Sequence, residues 1–175
     1  RRSKNPFKDL FLLNTYKRII KKIKPDVILT YTIKPNIYGA IASKGKIPIL
    51  ANITGLGSAV ENPGLIQKIT LFLYRIATPK MKVIFFQNQE NLNFFIKHNL
   101  QINYILLPGS GVNLDYYKAI EYPSNLSTEF VFISRVMKEK GIDQYLAAAK
   151  YIRNKYPNTK FHICGFCEEE YENKL

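Results

Sequence analysis

Twelve consecutive residues, Phe132-Ile133-Ser134-Arg135-Val136-Met137-Lys138-Glu139-Lys140-Gly141-Ile142-Asp143, hold the most explicit chemistry in the chain. The apolar run ahead of Arg135 reads as a buried strand, which delivers the guanidinium to the carboxyl edge of a parallel sheet, where open α/β folds bind ligands. Lys140 then precedes a helix start, whose free N–H groups and dipole favour an anion. A guanidinium that binds phosphate through two bonds, an ammonium point charge and the first helical turn together suit a diphosphate. Each charge-assisted hydrogen bond contributes roughly 1.5–3 kcal/mol where water is excluded. On spacing alone, a solvated loop with Glu139 among Arg135, Lys138 and Lys140 accounts for the same residues.

Two other stretches, Thr32-Ile33-Lys34-Pro35-Asn36-Ile37-Tyr38-Gly39 and Asn52-Ile53-Thr54-Gly55-Leu56-Gly57-Ser58, read as loops at strand carboxyl ends. Their glycines permit close ligand approach, and Lys34 is available to a phosphate or a sugar hydroxyl. A tight turn explains the glycines equally well. Cys164-Gly165-Phe166-Cys167 offers a metal only two thiolates, with His162 the one nearby imidazole, and the following Glu168-Glu169-Glu170 raises a thiol pKa. It is therefore set aside as a redox or metal centre. No Walker-type loop, complete Gly-x-Gly-x-x-Gly or His-Glu-x-x-His occurs. His98 sits on a basic helix and reads as a cap or a solvent-facing residue.

The elements that must position these residues alternate. Asp9 to Lys24 is an amphipathic basic helix with Leu12, Tyr16, Ile19, Ile20 and Ile23 at helical spacing. Strands are expected at Val27 to Thr32, Pro48 to Ile53, Lys82 to Gln87 and Asn103 to Leu107, and helices at Pro35 to Ser43, Leu65 to Thr78 and Glu90 to Asn99. Such alternation makes a parallel sheet with covering helices. Residues 108 to 126, from Pro108-Gly109-Ser110-Gly111 through Tyr122-Pro123-Ser124-Asn125, read as an interdomain connection. A second unit follows: strand Phe130 to Ser134, helix Ile142 to Tyr156 with Ile142, Leu146, Ala149 and Ile152 on one face, and strand Lys160 to Cys164. The first unit opens without the strand that a doubly wound domain places first, and the second has one and a half repeats, so the sequence reads as a fragment.

Composition narrows the partners. With 175 residues, 46% hydrophobic and 22% charged, the chain is globular and holds one ordinary domain or two small ones. No apolar run approaches the roughly 20 residues of a spanning helix, and two cysteines fit a reducing compartment. The net charge of +13 arises in residues 1 to 100, which hold 17 Lys/Arg against 4 Asp/Glu. A polyanion or an anionic membrane is the expected partner of such a surface, and a lysine-rich proteome is the bland alternative. A nucleic-acid-binding module is disfavoured because Phe72, Phe85, Phe86 and Phe132 lie in apolar strands or stripes that core packing claims. A non-catalytic anion- or sugar-binding module remains as an alternative.

The segment around Arg135 resembles the start of the second domain of retaining, nucleotide-sugar-dependent glycosyltransferases of family 4: a strand, Gly/Ser-Arg, a few variable residues, then Glu-Lys-Gly and a helix. Ser134 stands where glycine is commoner. The two stretches containing Lys34 and Thr54 resemble that family's acceptor-side domain, in the branch acting on lipid-linked bacterial surface-glycan precursors. The resemblance implies an α/β chain of GT-B type, with two Rossmann-like parallel-sheet domains, both incomplete: residues 1–107 on the acceptor side and 127–175 on the donor side. It implies that Arg135 and Lys140 hold the donor diphosphate, supported by Ser134, Gly141 and Gly165, and that Lys34, Asn36, Thr54, Gly55 and Gly57 line the acceptor side. The implied reaction transfers a sugar, hexose or N-acetylhexosamine, with retention from a nucleoside diphosphate donor, UDP in the first instance, to a lipid-diphosphate-linked or glycan acceptor. No metal or other cofactor is expected, no catalytic base is nominated, and a glutamate pair contacting the donor sugar would lie beyond Leu175. The expected setting is the inner face of the cell membrane. The stripe Leu65, Ile69, Phe72, Leu73 and Ile76, with Lys68, Arg75, Lys80 and Lys82 nearby, fits an anionic leaflet, and packing against the sheet explains it equally well.

Overall fold

The computed structural model describes residues 6–57, 60, 63–100, 102–121, 127–167 and 169–172. The chain divides into two compact units, Arg1–Tyr117 and Lys118–Leu175. The expected connection at 108–126 has no helix or strand among its described residues, and 122–126 lie outside them.

In the first unit, helix α1 (Pro6–Ile23) leads to strand β1 (Ile28–Tyr31), helix α2 (Ile33–Ser43) and strand β2 (Ile49–Ile53). Helix α3 (Leu65–Ala77) and a 3-10 turn (Thr78–Lys80) lead to β3 (Val83–Phe86), α4 (Gln89–Lys97) and β4 (Tyr104–Leu106). The strands form one parallel sheet in the order β1-β2-β3-β4. The central strands supply the core, because Ile49, Ala51, Ile53, Ile84 and Phe86 alternate into the interior. Phe95 of α4 closes it, edge-on to Tyr74 and Phe86 with ring centroids 5.0 Å from each. Full burial of one such aromatic contributes about 1.5–3 kcal/mol. Helix α2 lies close on β1: a Cβ at Gly39 would meet Thr30 Cγ2 at 3.1 Å.

Helix α2 starts at Ile33, two residues earlier than the proline suggests. Pro35 occupies the third helical position, where the amide N–H has no intrahelical partner to lose. The first helical bond is Asn36 N–H to Thr32 O. The reading of 33–39 as a loop is therefore corrected: Lys34 and Asn36 are helical, and only Thr32 belongs to the turn.

In the second unit, β5 (Thr128–Ile133) pairs in parallel with β6 (Thr159–Cys164). Between them lie a 3-10 turn (Lys138–Lys140) and helix α5 (Ile142–Lys155), and the short α6 (Glu169–Glu172) follows. Ile142 is buried and Tyr145 and Leu146 pack with Phe132 and Ile163, so α5 covers one face of the strand pair through the side expected from its spacing. The opposite face carries Glu129, which accepts from Lys160 at 3.1 Å and lies 2.9 Å from His162 Nε2. Those bonds, Lys160 first, hold the Glu129 carboxyl below its usual pKa.

Candidate functional site

Strand β5 ends at Ile133, and the chain continues through Ser134 to Arg135 at the carboxyl edge of the strand pair. Pairing does not stop with the strands. Ser134 N–H donates to Cys164 O at 3.1 Å, Val136 N–H donates to Phe166 O at 2.8 Å, and Val136 bridges Cys167. The turn bearing Arg135 is thus zipped to the turn after β6. Gly165 sits at the closest approach, with φ +157°, and a Cβ there would lie 1.8 Å from Ser134 O and 2.7 Å from its carbonyl carbon. Only glycine fits against that carbonyl. In this unit, then, Gly165 holds Ser134 and Arg135 in place by its lack of a side chain.

Lys140 ends the 3-10 turn, and Gly141, at φ +82°, turns the chain into α5 in the left-handed conformation that glycine adopts without penalty. Among the described residues no side-chain cap is made at the N-terminus of α5, whose first-turn amides have no intrahelical partner. Arg135, Lys138 and Lys140 are exposed, and none forms an ion pair with another described residue. Asp143 in the first turn is engaged elsewhere: it accepts from the Tyr171 hydroxyl at 3.0 Å, and Tyr171 is buried against Val136 and Ile142. That pairing, across 28 residues, left no local sequence signal. It ties α6 to the helix start beneath Lys140.

The Cys-x-x-Cys places Cys164 on the exposed end of β6, while Cys167 packs against the small core of Val136, Ile142 and Tyr171. Among the described residues no three His, Cys, Asp or Glu side chains gather as metal ligands. His98 ends α4 with its ring 4.4 Å from that of Phe94.

In the first unit, the carboxyl edge of the sheet collects Thr32, the segment 54–57 and the turn after β3. Thr54 and Gly55 are exposed, Gly57 is half-buried at φ +72°, and Leu56 between the glycines is buried and pins the loop to the core. Thr32 has φ +69° and ψ +167°, a region populated almost only by glycine, and holding a β-branched residue there costs about 1–3 kcal/mol. Sequence gives no hint of this strain, because threonine is not the residue that signals it. Lys34 donates to Asp9 of α1, so its ammonium is engaged by a carboxylate across the α1–α2 contact. Tyr38 shares that carboxylate. Burial, then the charge of Asp9, then the hydrogen bond to it push the Tyr38 hydroxyl up to about 12. Asn36 is 0% exposed and donates to Asn52 O at 3.0 Å, fixing the end of β2. Its side chain supports the edge from beneath instead of presenting itself to a ligand, which corrects its expected role as a lining residue. Gln87 reaches Asn52 Oδ1 at 3.4 Å, and Asn88 caps α4 by accepting from Asn91 N at 2.8 Å. Asp9, Gln87 and Asn88 are polar participants that the sequence reading missed.

Residues 1–88 match the Glycosyl transferase 4-like family. The chain belongs to that family. Among curated proteins it is similar to an uncharacterized glycosyltransferase of Methanocaldococcus jannaschii, at 28% identity over 99% of this chain and 48% of the relative. It is also similar to the N,N'-diacetylbacillosaminyl-diphospho-undecaprenol alpha-1,3-N-acetylgalactosaminyltransferase of Campylobacter jejuni, at 27% identity over 89% of this chain and 46% of that enzyme. The chain therefore spans about half the length of the curated relatives it matches. Among solved structures, MurG of Acinetobacter baumannii superposes with a TM-score of 0.45 at 13% identity, over 98% of this chain and 51% of that one.

The stripe on α3 has a definite outcome. Leu71, Tyr74 and Ala77 face the core, with Leu73 packed at its margin, whereas Leu65, Ile69, Phe72 and Ile76 are exposed. Packing against the sheet does not account for those four. Phe72, 60% exposed, corrects the expectation that the core claims it. Phe86 is buried and Phe132 packs in the second unit as expected.

Proposed function

We propose that the whole protein transfers a sugar, with retention, from a nucleoside diphosphate donor to a lipid-diphosphate-linked or glycan acceptor. Two parallel-sheet units of GT-B type carry it, and it works peripherally at the inner face of the membrane. Family membership supports glycosyl transfer, and the printed specificity of the Campylobacter jejuni relative supports a diphospho-lipid acceptor. No helix among the described residues is long and apolar enough to cross a membrane.

The observation that carries the donor assignment is the coincidence of Arg135, Lys140 and the start of helix α5 at one carboxyl edge. Arg135 binds the diphosphate through paired N–H donors, Lys140 adds a point charge, and the amides after Gly141 complete the anion cradle. As the glycosidic bond to the diphosphate breaks, negative charge grows on the leaving oxygens, and these fixed cations stabilise it. Thr54, Gly55 and Gly57 form the acceptor-side rim, and Lys34, held by Asp9, stands beside it at the start of α2.

The test is isothermal titration of the full chain with UDP, GDP and their sugar conjugates, repeated for Arg135→Ala and Lys140→Ala. Loss of one charge-assisted contact of roughly 1.5–3 kcal/mol weakens the preferred donor about 10- to 100-fold. Arg135→Lys recovers part of that loss, since a lysine restores charge without the bidentate fork. Wild-type affinity in both alanine variants refutes the assignment.

A further inference from the structure

The exposed apolar side chains of the first unit are not scattered. Strand β1 runs directly into Thr32 and α2, and Asp9 of α1 meets Lys34 of α2, so the first turns of α1 and α2 lie together at the carboxyl edge of the sheet. The segment 54–57 leaves β2 at that edge, and helix α3 follows it in the chain. It ends in the 3-10 turn that enters β3, where Lys82 N–H donates to Ile49 O at the opposite edge. The N-terminal turns of α1 and α3 therefore flank the same edge as the acceptor-side loops, with α2 packed between the two helices.

Both helices grade along their length. On α3, residues 65, 69, 72 and 76 form one row, roughly opposite the core-facing Leu71, Tyr74 and Ala77 at 3.6 residues per turn. Exposure is 73% at Leu65, 50% at Ile69, 60% at Phe72 and 38% at Ile76, so the row is most open at its carboxyl-edge end. Lys68 and Arg75 stand along one flank of it, and both are exposed. On α1 the exposed face begins with Phe7, Leu10 and Phe11 and continues, on the same side, through Asn14 to Arg18, Lys21 and Lys22. Apolar residues lead and cations follow. An element that dips its tip into the acyl boundary and leaves its cations among anionic head groups has this order.

We infer that the carboxyl edge of the first sheet faces an anionic bilayer. Leu65, Ile69 and Phe72 of α3 and Leu10 and Phe11 of α1 enter the leaflet on either side of the acceptor loops. The excess of 17 Lys/Arg over 4 Asp/Glu in residues 1 to 100 supplies the charge complementarity that selects lipid over a second copy of this like-charged chain. This deepens the proposed membrane setting by fixing which edge meets the lipid. Because binding is read without turnover, its failure is distinguishable from failure of the transferase reading, which donor titration measures.

The chain contains no tryptophan, so a single introduced indole reports its own surroundings. Phe72→Trp and Phe11→Trp are compared with Ile23→Trp, which lies at the far end of α1 and is 65% exposed in the native protein. With vesicles of phosphatidylethanolamine and phosphatidylglycerol, the first two emissions shift to the blue and are quenched by brominated acyl chains, whereas the third keeps its aqueous emission. Co-sedimentation of Ile69→Glu falls at least tenfold relative to wild type. An aqueous emission from Phe72→Trp on these vesicles, or an equal shift from Ile23→Trp, overturns the inference. So does a blue shift without lipid that grows with protein concentration, because a second copy then covers the row.

Discussion

Replacing Gly165 by alanine tests whether the turn after β6 sets the position of Arg135. The added methyl would start 1.8 Å from Ser134 O, far inside any carbon–oxygen contact, and 3.5 Å from Arg135 N. Neither neighbour is a flexible side-chain end, so the two turns must separate. Forced overpacking costs about 1–3 kcal/mol, and the φ of +157° adds a backbone term of order 1 kcal/mol. Gly55 supplies the control, because it has nearly the same φ, +149°, yet a Cβ there meets nothing within 4 Å. Gly55→Ala should therefore show the backbone term alone, and Gly165→Ala should exceed it by about 1–3 kcal/mol. Urea unfolding followed by hydrogen exchange of amides in each unit separates the two transitions. The same displacement moves Arg135, so nucleoside diphosphate affinity falls in Gly165→Ala, measured where the variant is still folded. Equal destabilisation by the two substitutions, or unaltered donor affinity in a Gly165→Ala protein that has lost stability, refutes the reasoning.

Two further outcomes follow from buried or shared polar groups. Asn36→Ala leaves Asn52 O without its donor and lowers the stability of the first unit by about 1–3 kcal/mol in urea denaturation, while Asn36→Asp costs more because it buries a carboxylate. Tyr38 ionises at about 12 in the folded chain and near 10 when unfolded, so its contribution is complete below pH 10 and is lost as pH rises towards 12. Alkaline unfolding of Tyr38→Phe therefore loses that part of its pH dependence, as monitored by circular dichroism.

The order of strands and helices was legible because each segment has its own period and its own punctuation. Ile142 and Leu146 pack towards the strands as their spacing dictates, and Pro25 and Gly141 stand at helix boundaries. What was not legible depends on residues far apart in the chain. The engagement of Lys34 by Asp9 spans 25 positions, and Asp143 with Tyr171 spans 28, so neither leaves a local pattern. Pro35 misled because a proline early in a helix marks its start only to within a turn. The α3 stripe stayed ambiguous in the sequence for another reason: periodicity identifies an apolar face but not what covers it, and α3 has two, one inward through Tyr74 and one outward through Phe72. The resemblance implies only that Gly165 supports the donor diphosphate site. The contact that demands glycine, with Ser134 O, appears only when β5 and β6 are paired.

The hydrogen bonds from Ser134 to Cys164 and from Val136 to Phe166 make the turns after β5 and β6 one mechanical piece. Because those bonds join main-chain groups, side chains on either turn are exchangeable as long as the backbone path is kept, and the one identity a grafted turn must preserve is the glycine at 165, where a Cβ would meet Ser134 O.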